Sequence, residues 1–106
     1  MEDQTMSSRH YSYRITVTPT GTPSEGEALR PPFTFEATNH DDIIAIVERA
    51  RANTGLAPDA AASVAVGLKL LSEVVLREKN NPLFDPLRGG IREFIGNLKA
   101  LIRNKS

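Results

Sequence analysis

Tyr11-Ser-Tyr-Arg-Ile-Thr-Val-Thr18 decides the fold class. Tyr11, Tyr13, Ile15 and Val17 alternate with Ser12, Arg14, Thr16 and Thr18, and a period of two in aromatic and β-branched residues predicts a half-buried strand. Phe33-Thr-Phe-Glu-Ala-Thr38 repeats the pattern, with Phe33, Phe35 and Ala37 on one side. Between the two lie Pro19, Gly21, Pro23, Gly26 and the Pro31-Pro32 pair, which exclude a sheet interior and predict a loop of about fourteen residues. Two such strands are expected to pair antiparallel, placing Arg14 and Glu36 together on the polar face. Tyr11, Tyr13, Phe33 and Phe35 then read as core against a helix rather than as the lining of a ligand pocket.

Beyond the second strand the apolar period lengthens to that of a helix. Asn39, His40 and Asp41 precede it, so Asn39 or Asp41 is the expected cap, with carboxylates at the positive end of the helix dipole. Ile43, Ile46, Val47 and Ala50 share one face, and Gly55 is the expected stop. Pro58 and Asp59 open a second helix reaching about Glu78. Its expected core face is Ala60, Val64, Gly67, Leu68, Leu71, Val74 and Val75, with Val66 and Leu70 on the exposed side as candidate self-association residues. Gly67, unfavourable inside a helix, is expected to admit another backbone closely. A turn from Asn80 to Pro86 follows, with Leu83 and Phe84 tucked inward. The last helix starts at about Leu87 or Gly90 and runs to Arg103, with Leu87, Ile91, Phe94, Ile95, Leu98, Leu101 and Ile102 as its core stripe.

The expectation is therefore an α+β domain in β-β-α-α-α order: a two-stranded antiparallel sheet packed on three helices, extensible to four strands in a dimer. Residues 1–10 are expected to form a disordered N-terminal tail, and residues 11–106 a single domain. The 106 residues suffice for one modest core, about two-thirds of the unfolded surface being buried on folding. The absence of cysteine excludes disulfides and thiolate chemistry, and fits a reducing cytoplasm. The polar N-terminus does not read as a signal peptide, and no apolar run approaches a membrane span.

The chemistry-bearing residues converge poorly. His40 beside Asp41 and Asp42 lacks the spacing of a metal site and reads as a helix start; Glu25 and Glu27 lie in the loop. No nucleophile elbow or phosphate loop is present, so no enzyme, catalytic residue, metal or cofactor is expected. Thirteen basic and thirteen acidic side chains cancel, yet unevenly: residues 1–60 carry net −4 and residues 61–106 net +4. Arg88, Arg92, Lys99 and Arg103 lie within an arc of about 60° on the last helix, a candidate anion-binding stripe. Four charges without interleaved aromatics make nucleic acid a disfavoured partner and a nucleic-acid- or anion-binding regulator the alternative reading. A homodimer, with an unidentified protein as a further partner, is the leading expectation, because a lone hairpin is marginal in water and has two open edges.

Tyr13-Arg-Ile-Thr-Val-Thr-Pro19, His40-Asp-Asp-Ile-Ile-Ala-Ile-Val-Glu48, Val66-Gly-Leu-Lys-Leu-Leu71, Asn81-Pro-Leu-Phe84 and Arg92-Glu-Phe-Ile95 together resemble a family of small bacterial proteins, domain of unknown function 3861. The resemblance extends from Tyr11 to Lys99. It implies a cytoplasmic bacterial α+β protein of one domain and transfers no catalytic residue.

Overall fold

The computed structural model describes residues 10–105, with side chains described as far as Leu101. Most of the expected tail thus lies outside the described residues. The fold is α+β: a two-stranded antiparallel sheet followed by three helices. The backbone falls into two compact units, one ending at His40 and one beginning at Asp41.

The first unit is the hairpin of β1 (Tyr11–Val17) and β2 (Phe33–Asn39). The register sets Arg14 opposite Glu36, Ile15 opposite Phe35, Thr16 opposite Thr34 and Val17 opposite Phe33. Alternation therefore collects the apolar side chains on one face and the charged and hydroxyl groups on the other. Across the polar face, the Arg14 Nε–H donates to Glu36 Oε2 at 2.8 Å, and the Thr16 and Thr34 hydroxyls lie 3.0 Å apart. The hydrogen bond to Glu36, then the charge of that carboxylate, raise the pKa of the Arg14 guanidinium above its ordinary value. In the connecting loop Gly26 has φ 86°, a conformation that favours glycine, and Ser24 O accepts from the Glu27 N–H.

The second unit begins with α1 (Ile43–Asn53). Its cap is Asp42, not Asn39 or Asp41: Asp42 has the extended backbone an N-cap needs, and its Oδ1 accepts from the Ala45 N–H at 3.2 Å. Asp41 pairs instead with the Lys69 ammonium. At the other end both the N–H and the hydroxyl of Thr54 donate to Ala50 O, and Gly55 takes φ 80°, stopping the helix as expected. A short connection leads to α2 (Pro58–Arg77), with Pro58 at its first position and Asp59 in its first turn. Arg51 Nε–H donates to Pro58 O at 3.1 Å, tying the end of α1 to the start of α2.

The two helices meet through alanine. Ala50, Ala61 and Ala65 are fully buried, with Ile46 and Val47 packed against them. The buried line of α2 is Ala61, Ala65, Ser72 and Val75, so the expected core face is corrected: Ala60, Gly67, Leu71 and Val74 are exposed. Val66 and Leu70, expected on the exposed side, are half-buried. The rotation has a steric cause: small side chains let two helices approach toward the short end of the usual 8–10 Å range, and burial followed the alanines rather than the larger residues. Gly67 does not serve a close approach either, since a Cβ there would meet nothing within 4 Å.

A 3₁₀ turn, Pro82–Phe84, is capped by Asn81, whose Oδ1 accepts from the Leu83 N–H at 3.0 Å. Leu83 is 71% exposed, not tucked inward, and Phe84 is half-buried. α3 (Asp85–Lys105) follows directly, starting earlier than expected because Pro86 is tolerated in a first turn. Its expected core stripe divides. Ile91, Ile95 and Leu98 are half-buried, while Leu87, Phe94 and Leu101 are exposed. Within the unit the backbone of α3 approaches α1 and the 3₁₀ turn, a contact narrower than the apolar arc α3 carries.

Candidate self-association surface

The hairpin carries the first part of the surface. Val17 and Phe33, directly opposite each other, are 58% and 63% exposed, and Tyr11 and Phe35 are exposed as well. Tyr13 and Ile15, on the same face, are half-buried, and Asn39 at its end is fully buried. The rings are ordered among themselves: Tyr11 and Tyr13 stack with centroids 6.5 Å apart, and Phe33 and Phe35 are tilted at 5.8 Å. Same-strand residues two apart point the same way, so each strand builds half of one aromatic patch. The sheet ends after two strands, leaving the outer backbone groups of β1 and β2 without a strand partner among the described residues.

In the helical unit large apolar side chains are exposed on α1 at Ile44, on α2 at Leu71, Val74 and Leu76, on α3 at Leu87, Phe94 and Leu101, and in the connections at Leu56 and Leu83. By contrast the buried hydrophobic residues among those described are Ile43, Ala50, Ala61, Ala65 and Val75, three of them alanines. The larger apolar side chains are thus mostly outside the core.

The candidate anion-binding stripe divides. Arg88 is committed inward: Nη1–H donates to Val75 O at 3.1 Å, and Nη2–H donates to Glu78 O at 2.7 Å and Asn81 O at 3.1 Å. Its Nε lies 3.4 Å from Asp85 Oδ1. Val75 lies in the last turn of α2, where carbonyls lack intrahelical partners, and the planar guanidinium gathers them with the turn that follows. Arg92 and Lys99 are exposed, and the Arg103 side chain lies outside the described residues. An arginine aligned with its neighbours by helical period was instead a clamp. The only signal for this was its place a few residues after an Asn-Pro turn.

Glu73 is buried and paired with Arg77 at 3.0 Å one turn on, as a buried charge requires. Asp41 and Asp42, adjacent in sequence, divide between an ion pair and a cap. No group of three His, Cys, Asp or Glu among the described residues could hold a metal ion. A shallow hollow of about 410 Å³ is lined by Arg77, Glu78, Lys79, Asn80 and Asn81, one continuous turn with no side chain arriving from elsewhere. No described helix is long and apolar enough to cross a membrane.

A family model, described as a domain of unknown function with a solved structure (DUF3861), matches residues 11–100. The crystal structure of a protein of unknown function from Pectobacterium atrosepticum is similar, with 31% identity and a TM-score of 0.71 over 85% of this chain and 97% of that one. No curated protein matches.

Proposed function

This chain belongs to the family of domain of unknown function 3861, and we propose that it works by self-association, as a non-enzymatic homodimeric module of the bacterial cytoplasm. The observation that carries the reading is the hairpin, which combines the exposed apolar side chains Tyr11, Val17, Phe33 and Phe35 with a sheet of only two strands among the described residues. A two-stranded sheet is marginal in water, and a third and fourth strand give it independent stability. Pairing β1 or β2 with its two-fold mate makes four strands and closes one edge per subunit. Neither strand contains proline; Pro19 and the Pro31-Pro32 pair flank them and restrict the pairing to the strands themselves. An unidentified protein strand would engage the same edge by the same backbone hydrogen bonds. The nucleic-acid or anion reading draws less support, because Arg88 spends its donors on three carbonyls of its own chain.

Amide hydrogen exchange tests the edge pairing. Outward-facing amides of β1 or β2 should exchange more slowly at millimolar than at low micromolar protein, while amides of α1 stay unchanged. Equal rates for the hairpin amides at both concentrations would remove strand pairing from the account.

A further inference from the structure

We draw no further inference here: the strongest candidate, the exposed apolar line of Leu87, Phe94 and Leu101 along α3, carries nothing because nothing in the structure shows what covers it.

Discussion

Arg88→Met should lower the unfolding free energy by about 3 kcal/mol, read as a fall in the urea midpoint. The guanidinium donates to the carbonyls of Val75, Glu78 and Asn81; Glu78 O and Asn81 O also accept the Asn81 and Phe84 N–H groups, so the fork reinforces that turn and ties it to Val75. Hydrogen bonds from an ionised donor contribute about twice as much as neutral ones. Asn81 lies half-buried, so water replaces the lost partner only in part. Methionine keeps the packing of the stem while removing every donor, which isolates the clamp from the space it fills. Arg88→Lys should recover less than half of the loss, because an ammonium is a compact point charge and cannot span three carbonyls from one plane. Full recovery by lysine would mean that charge near the end of α2, rather than the fork, holds the corner. Cleavage by a protease within Asn80–Asp85 should rise in Arg88→Met, since the clamp closes that turn.

Ala65→Leu should destabilise the helical unit by about 2–3 kcal/mol. Ala65 is fully buried together with Ala50 and Ala61, and this trio sets the separation of α1 and α2. Three added carbons have no void to enter there, so the helices must part or the leucine must adopt a strained rotamer. Parting would break the contacts of Ile46 and Val47 as well. Ala60→Leu is the matched control: Ala60 is one residue away from the seam and exposed, so the same change should stay within about 0.5 kcal/mol of wild type. Equal effects at the two positions would place the α1–α2 contact on the face that periodicity suggests, not on the alanines.

Those two substitutions also mark the limits of what the residues alone display. The strands were legible because the alternation in Tyr11–Val17 and Phe33–Asn39 has no helical counterpart, and proline on both sides bounds it. The pairing of Arg14 with Glu36 followed from the same alternation. Helix limits were legible where Gly55 and Pro58 stand, since each has a backbone reason to be there. The rotation of α2 was not. Periodicity weighs large apolar residues, and here Ala61, Ala65 and Ser72 carry the buried line while Leu71 and Val74 are exposed. The cap was legible only to within one residue, because Asp41 and Asp42 are chemically alike and backbone dihedrals choose between them. The inward direction of Arg88 was hidden for a related reason. Helical period puts it in line with Arg92 and Lys99, but its direction is set by carbonyls of a turn whose position only the fold determines.

The candidate association surface was half legible. Open hairpin edges follow from counting strands, whereas the line Leu87, Phe94 and Leu101 read as core and is exposed, because a stripe that faces a neighbour and one that does not have the same period. What separates them is how much apolar arc the chain's own helices cover. That depends on packing, not on spacing.

Sedimentation equilibrium of the unmodified chain over a wide concentration range tests the central claim, self-association, most directly. The account predicts a mass that rises with concentration from 11.6 kDa toward twice that value, with a midpoint in the micromolar range. A mass that stays at 11.6 kDa up to the highest concentration reached would contradict it.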